Sequence, residues 1–460
     1  MNLPLDVIKR YRVLPFKEDE NYVYLLCVKE NEGIGFFKKF FNKKVKVICA
    51  SKERVLREII KLEVKLSLKE IIKKIKEELK GDTKEVASVG KLLDLVIYYA
   101  IYHRASDIHF EKGIVRIRVD GVLRKVFEFD EEVYLALISK IKILAKLDIA
   151  SKLIQEGRFS KRVDDREFDF RVSCVNSLFG ECVVLRVLES GRIIELEKLG
   201  MSEGNLAKLK RLIKNPYGMI LITGPTGSGK TTTLYSIINY LKSIEKKIIT
   251  IEDPVEYHID LVEQIQVKEF ADVIKAILRQ DPDIIMIGEI RDEDVLNASL
   301  QAAMTGHLVL STLHTNDAVS AINRLYQIGA KEYLVSDILL GVVAQRLVRK
   351  ICPYCKERYE ASEEEIKILK KFKKETKTLF KGRGCEQCDF NGYLGREMIS
   401  EVFVINKEIA HLISLKKDKF ELLRVGRSFG FVSMVEDGIE KVIKGVTTLD
   451  EILRVVNIED

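Results

Sequence analysis

Gly224-Pro225-Thr226-Gly227-Ser228-Gly229-Lys230-Thr231 decides how this chain is read. A glycine, four residues and then Gly-Lys-Thr is the phosphate-loop pattern. The flanks agree with it. Met219-Ile220-Leu221-Ile222-Thr223 reads as a buried strand, and residues 232–241 place Leu234, Ile237, Ile238 and Leu241 at helical spacing. The order has a physical reason. Glycines let successive backbone N–H groups turn inward around a phosphate, and the start of the helix adds its positive dipole end. Lys230 is expected to reach the β- and γ-phosphates, and the Thr231 hydroxyl to ligate Mg2+. The candidate nucleotide-binding set is Gly224, Pro225, Thr226, Gly227, Ser228, Gly229, Lys230, Thr231 and Thr232.

Outward from the loop, residues 195–350 alternate strand and helix patterns, which predicts a parallel, doubly wound nucleotide-binding sheet. Lys247-Ile248-Ile249-Thr250-Ile251 runs into Glu252-Asp253-Pro254-Val255-Glu256-Tyr257, and Asp283-Ile284-Ile285-Met286-Ile287 into Gly288-Glu289. Parallel sheets bind ligands at the carboxyl ends of their strands, so these acids are expected beside the phosphate loop. There they would hold magnesium through water and orient an attacking water, with Glu256 and Glu289 as rival candidates. His307 and His314 bracket a third strand. Their odd spacing puts them on opposite faces of it, so they are not expected to share a metal. One at a strand end is expected to sense phosphate.

Cys352-Pro353-Tyr354-Cys355 and Cys385-Glu386-Gln387-Cys388 enclose 29 residues. Two such pairs form a tetrahedral thiolate site, and structural Zn2+ is the expected occupant, with disulfides or a redox pair as the alternatives. The long spacer implies an inserted helix near residues 362–372. Cys27, Cys49, Cys174 and Cys182 lack such spacing and read as ordinary buried thiols. Near the end, Thr448-Leu449-Asp450-Glu451 fits a capping box, and Gly445 suits the close of the preceding helix.

Toward the start, residues 1–62 look like a small α/β domain, a docking module or a plain structural one. Helices are expected over 52–62, capped by Ser51, and over 66–80, ended by Gly81-Asp82. The second is basic and amphipathic. It reads either as a linker helix within 63–88, packed on its neighbour, or as a membrane-surface or partner helix. Residues 89–192 read as a second α/β domain. Asp120-Gly121 signals a hairpin, Asp130 a helix start, and Gln155-Glu156-Gly157-Arg158 a turn. Strands are expected over 168–173 and 182–188. Arg158, Arg171 and Arg186 sit on or beside these strands, as functional groups or as surface arginines paired with Asp164, Asp165 or Glu167.

Composition sets limits. Of 460 residues, 47% are hydrophobic, and 77 basic against 70 acidic residues leave a net charge of +7. That balance is too mild to argue for nucleic acid. No apolar run approaches membrane-spanning length, and no signal peptide is visible at Met1. A membrane role is therefore expected only through partners. Eight cysteines, half of them in two close pairs, suggest a reducing compartment.

Over residues 89–460 the chain resembles the bacterial ATPases that drive type II secretion and type IV pilus assembly. The resemblance rests on Ala105-Ser106-Asp107-Ile108-His109, Asp120-Gly121-Val122-Leu123, Gln155-Glu156-Gly157-Arg158, Arg171-Val172-Ser173 and Gly180-Glu181-Cys182-Val183-Val184-Leu185-Arg186. The phosphate loop continues through Thr232-Thr233-Leu234-Tyr235. Residues 251–257 resemble that family's aspartate box, 281–292 its Walker B element, and 305–318 its histidine box. Ala344-Gln345-Arg346 runs into the first cysteine pair, and Gly392-Tyr393-Leu394-Gly395-Arg396 follows the second.

The resemblance implies a RecA-like ATPase domain over 193–460, with a zinc element at about 350–396 and a helical end. It implies ATP with Mg2+, and a hexameric cytoplasmic ring held peripherally at the inner membrane. A platform protein and a cytoplasmic partner domain, the latter docking on residues 1–62, are the implied partners. Arg158 and Arg171 match positions that approach bound nucleotide, with Arg186 a third. Gly288 stands where many phosphate-loop enzymes carry a magnesium-binding aspartate. The tetracysteine element points to assembly or secretion rather than retraction, and the short N-terminal region tilts toward type II secretion. A zinc-containing motor acting on nucleic acid is the competing reading, but no run of interleaved basic and aromatic residues supports a strand-binding channel. A nucleotide-gated scaffold is a third, against which Glu256 and Glu289 speak.

Overall fold

The computed structural model describes residues 4–28, 33–41, 43–80, 87–189, 191 and 193–457. The chain divides into two compact units, residues 1–190 and 191–460.

The first unit holds two apolar cores. The smaller is built by α1 (Leu5–Tyr11), β1 (Val13–Glu18), β2 (Tyr22–Cys27), α2 (Gly33–Phe40) and β3 (Lys44–Cys49). β2 pairs antiparallel with β1 and parallel with β3. Val13, Val23, Leu25 and Phe37 are fully or almost fully enclosed. Ser51 caps the next helix by accepting from Arg54 N–H at 3.3 Å.

That helix, α3 (Lys52–Lys80), is one element of 29 residues rather than the two expected. Glu63-Val64-Lys65 joins them because it contains neither Gly nor Pro to break the run. The first half of α3 buries Val55 and Ile59 in the small core. The second half buries Ile75 in the larger core, with Val64, Leu68, Ile71 and Ile72 packed against it. These apolar residues are covered by protein, while Leu66 and Leu79 of the same half stay exposed. The expected stop at Gly81-Asp82 lies outside the described residues.

The larger core lies between α3, α4 (Ala87–Tyr102) and α5 (Glu131–Leu144) on one side and a six-stranded antiparallel sheet on the other. The strands are β4 (Ala105–Glu111), β5 (Ile114–Val119), β6 (Val122–Glu128), β7 (Gln155–Val163), β8 (Arg166–Ser177) and β9 (Gly180–Glu189), in the order β6-β5-β4-β9-β8-β7. Asp120 and Gly121 both take positive φ, 50° and 86°, as the tight hairpin between β5 and β6 requires. Asp130 precedes α5, but its carboxylate pairs with Lys76 instead of capping the helix.

Residues 155–158 correct the sequence reading. They are not a turn but the start of edge strand β7, in register with Cys174, Ser173, Val172 and Arg171. Polar residues on the open face of the sheet mimic a turn in composition. Gly157 is required there by close approach, since a Cβ would meet Ala145 O at 2.7 Å.

The second unit begins with α6 (Glu203–Leu212), β10 (Gly218–Thr223), α7 (Lys230–Leu241), β11 (Ile248–Glu252) and β12 (Val262–Gln266). It continues through α8 (Phe270–Ile277), β13 (Ile284–Ile287), α9 (Glu293–Met304), β14 (Leu308–Leu313), α10 (Ala318–Ile328), α11 (Glu332–Ile338) and β15 (Leu339–Ile351). Six of these strands form the expected parallel sheet, and β18 (Tyr393–Val404) adds an antiparallel edge, in the order β12-β11-β13-β14-β10-β15-β18. Every residue of β10, β11, β13 and β14 is buried. That is why they read as unbroken apolar runs. Two apolar clusters cover the faces of the sheet.

Between β15 and β18 lie the hairpin strands β16 (Lys356–Glu360) and β17 (Thr378–Gly382) and the inserted helix α12 (Glu363–Lys371), which carries a complete capping box from Ser362 and Glu365. Four helices close the unit: α13 (Lys407–Ser414), α14 (Lys419–Ser428), α15 (Met434–Ile443) and α16 (Leu449–Val455). Gly445, at φ 66°, follows α15. Thr448 caps α16 by accepting from Glu451 N–H. The return half of the expected capping box is replaced, because the Glu451 carboxylate is taken by Arg349 and Arg454.

Candidate functional site

Strand β10 ends at Thr223, and the chain turns through the phosphate loop into α7. Gly224, Gly227 and Gly229 all take positive φ. Gly224 also has no room for a side chain, since a Cβ would meet Ser228 Oγ at 2.5 Å and Gln345 O at 2.6 Å. Thr223 Oγ1 ties the loop's root to the end of β14 through Leu313 O at 3.1 Å and Thr315 Oγ1 at 2.8 Å. Gln345 on β15 clamps the other side: its Nε2 donates to Ser228 O at 2.9 Å, and its Oε1 accepts from Thr233 at 2.8 Å. Ser228 Oγ is buried with no hydrogen-bond partner among the described residues. Thr231 is exposed in the first turn of α7. A buried unmatched hydroxyl, a glycine cradle and an accessible threonine are the donor set that a Mg2+-nucleotide phosphate requires.

Lys230 Nζ donates to Gly224 O at 2.8 Å and Pro225 O at 3.2 Å, and lies 3.5 Å from His314 Nδ1. Burial pushes its ammonium down to about 8; Glu289 opposes that shift and Arg346 adds to it. His314 Nε2 in turn lies 3.3 Å from Glu289 Oε2, and Arg291 donates to the other oxygen of that carboxylate. Lys230, His314 and Glu289 therefore meet where β10, β14 and β13 end. A cleft of about 1320 Å³ opens beside them, lined by Pro225, Glu289, His314, Arg346 and Glu401 among others.

The two remaining acids behave differently. Glu252 is buried and committed: it accepts from Tyr235 Oη, from Thr250 Oγ1 at 2.6 Å and from Gln264 Nε2 at 3.2 Å. Glu256 lies beyond it, with its backbone N–H on Tyr235 Oη at 3.1 Å, and does not line the cleft. Nor does the structure bring His307 to the loop. His307 precedes β14 at the Gly218 end of the sheet, opposite the phosphate loop, with Nδ1 2.9 Å from Ala302 O. Its expected phosphate-sensing role fails within this chain because the strand spans the full sheet between the two histidines.

In the first unit, strand register lines up three arginines. Arg158 on β7 faces Arg171 on β8, which faces Arg186 on β9. The row continues to Asp107 on β4 and Arg118 on β5. Asp107 accepts from Arg186 Nε at 3.2 Å and lies 3.6 Å from Arg118 Nε. Asp164 and Asp165 are engaged elsewhere, by Tyr102, Arg12 and Lys52.

The four paired cysteines converge. Their Sγ atoms all lie within 4.8 Å of one another, with Cys352–Cys385, Cys355–Cys388 and Cys385–Cys388 at 3.9, 3.8 and 3.8 Å. Four thiolates about 2.3 Å from one Zn2+ stand about 3.8 Å apart in a tetrahedron. The residues fit that ion. A disulfide needs sulfurs about 2.05 Å apart, and these four are free thiols. Of the other four, all expected to be buried, the structure buries Cys27 and Cys174 but leaves Cys49 exposed and Cys182 half-buried.

Sequence reasoning located the loop, Lys230, His314, Glu289 and the cysteines. It gave no role to Gln345 or Tyr235, whose partners lie far from them in sequence. It grouped Glu252 with the magnesium-holding acids, whereas that carboxylate is taken by Tyr235, Thr250 and Gln264.

Comparison with known proteins agrees with this geometry. Residues 82–454 match the family described as Type II/IV secretion system protein. The type II secretion system protein E of Pseudomonas aeruginosa is 46% identical over 390 residues, covering 82% of this chain and 77% of that one. The type II secretion system ATPase E of Vibrio cholerae is 45% identical, covering 81% and 76%. Among solved structures, the pilus retraction motor PilT with bound ADP is 29% identical with a TM-score of 0.56, covering 80% of this chain and 97% of that one. With its phosphate loop and tetracysteine cluster in place, the chain belongs to the type II/IV secretion system protein family.

Proposed function

We propose that this chain is the ATPase of a type II secretion system or a type IV pilus assembly machine, hydrolysing Mg2+-ATP as a hexameric ring. The observation that carries the reading is the meeting of Lys230, His314 and Glu289 at the carboxyl ends of three parallel strands. Residues 224–232 hold the phosphates, Thr231 the Mg2+, and His314 senses the γ-phosphate. Glu289 or Glu256 orients the attacking water. Arg158 and Arg171 supply further donors to the phosphates, and Arg186 extends their row. Zn2+ on Cys352, Cys355, Cys385 and Cys388 has a structural part: four thiolates close the coordination shell and leave no open position.

Among the described residues no helix is long and apolar enough to cross a membrane. We place the ring in the cytoplasm, held at the inner membrane by a platform protein and a partner domain that docks on residues 1–62. Residues 63–88 link that module to the domain over 89–192, and the ATPase domain follows from 193.

Lys230→Ala tests the reading. Without the ammonium the phosphates lose their main side-chain donor, and a charged hydrogen bond contributes about 1.5–3 kcal/mol. ATP affinity should fall at least about tenfold and turnover should vanish, read by a fluorescent ATP analogue and by phosphate release. Unchanged affinity and rate would overturn the assignment.

A further inference from the structure

Tyr235 stands on α7, one and a half turns beyond Lys230, and is 1% exposed. Nothing about phosphate binding demands a buried phenol there. Its hydroxyl makes two hydrogen bonds of opposite sense. It donates to Glu252, the last residue of β11, and accepts from the backbone N–H of Glu256 at 3.1 Å. Burial and then the Glu252 carboxylate push its pKa far up, so the phenol keeps its proton and the donor direction is fixed.

The segment 253–259, which carries Glu256, is tied down by further bonds. Tyr257 packs edge-on against the Tyr235 ring, with centroids 4.9 Å apart. From β12, Gln266 accepts from Val255 N–H at 3.3 Å. Gln264 accepts from Ile259 N–H at 2.7 Å and donates to Tyr257 O at 3.1 Å and to Glu252. Glu252 is the hub, because it orients both Tyr235 and Gln264.

We propose that Tyr235, oriented by Glu252, is a positioning residue that fastens the Glu256 segment to the phosphate-loop helix, so that Glu256 is placed in the frame of the bound phosphates. The inference rests on the reading that Glu256 takes part in hydrolysis. Buried hydroxyls joined in a network hold geometry more tightly than their net stabilisation suggests, and a misplacement of about 1 Å at a reacting group costs up to about 10²-fold in rate.

The experiment is a double-mutant cycle on the full-length assembled protein: wild type, Tyr235→Phe, Glu256→Gln and the double variant. Measured are kcat, KM for Mg2+-ATP and melting temperature. Tyr235→Phe should lower kcat about tenfold with KM within twofold of wild type, and the double variant should be no slower than Glu256→Gln alone. Glu252→Gln keeps a carbonyl to accept from the phenol, so it should retain more turnover than Glu252→Ala. That pair carries the test if Tyr235→Phe does not fold. A normal rate for Glu256→Gln would overturn the reading of Glu256 itself and the inference with it. A slow Glu256→Gln beside a normal Tyr235→Phe, or rate losses that multiply in the double variant, would overturn the inference alone. Equal rates in Glu252→Gln and Glu252→Ala would also overturn it.

Discussion

Lys230 holds the carbonyls of its own loop, and Glu289 stands on the far side of His314 from it. The two candidate acids reach this site from different elements, Glu289 from the end of β13 and Glu256 from the segment fastened by Tyr235. Glu289 shares the cleft with His314, whereas Glu256 does not line it. Glu289→Gln should therefore bind ATP normally and hydrolyse it about 10²–10⁴-fold more slowly, the range for a positioned acid–base group. Phosphate release under single turnover measures it, with Glu256→Gln beside it. Normal rates in both variants would remove this site from consideration. The phosphate-loop residues were legible because their chemistry is written within eight consecutive positions. His314 and Glu289 were legible because each follows an apolar run that has to be a strand of a parallel sheet. Gln345 was not. It lies 117 positions from the Ser228 carbonyl it clamps, and a lone carboxamide in a strand carries no local mark of its partner. Tyr235 was hidden for a related reason, since one aromatic on an apolar helix face reads as core.

Helix α16 shows what a single buried carboxylate does for an element. Glu451 receives Arg349 N–H at 2.8 Å, Arg349 Nη2 at 2.7 Å and two donors from Arg454. Burial alone would raise this carboxyl. The hydrogen bonds from Arg454 and Arg349 outweigh it and hold the group at about 2, against about 4.3 for an ordinary glutamate. The unfolded chain therefore binds a proton more readily than the folded one. The stabilisation is complete above about pH 4.3 and is lost as pH falls through about 2. Glu451→Gln should lower the melting temperature at pH 7 and flatten its fall between pH 4 and 2, as thermal melts across that window would show. An unchanged acid limb would assign the loss to other carboxylates. Elements were less legible where composition misled. The capping pattern at Thr448 was real, but the glutamate's second bond went to a strand arginine. Residues 155–158 looked like a turn because the outward face of an edge strand is as polar as a turn. The fusion of two helices into α3 was readable from the absence of any breaker at 63–65, and amphipathic phase alone did not reveal it.

At the scale of the molecule, two constellations gather residues that the sequence keeps far apart. The cysteine cluster joins the end of β15 to the start of β18 across the hairpin and α12. Purified protein should carry about one zinc per chain, and Cys352→Ser with Cys385→Ser should abolish it. Elemental analysis decides, and zinc retained in that variant would refute the assignment. The arginine row of the first unit is the other. Any one of the three reads as a surface arginine, and only the strand register reveals them as one line across three strands. Arg158→Ala should leave the melting temperature within a degree or two, because an exposed arginine contributes about 0–1 kcal/mol, and Arg171→Ala, at a half-buried position, should lower it somewhat more. ATPase turnover in the assembled ring should fall steeply, since an arginine directed at a transferring phosphate contributes about 10³–10⁵-fold. Unchanged turnover in both would leave the row a surface feature.

The single helix α3 has a mechanical consequence. Its 29 residues make a rod roughly 44 Å long. One end is embedded in the small N-terminal core and the other in the six-stranded module, with no glycine or proline between them to act as a joint. Yet it is not a free lever, because the six-stranded module meets it along its length, from Lys52 at its start through Val64 and Leu68 to Ile75. A partner gripping the first 60 residues would hold a braced rod, and a push on it would turn both cores together.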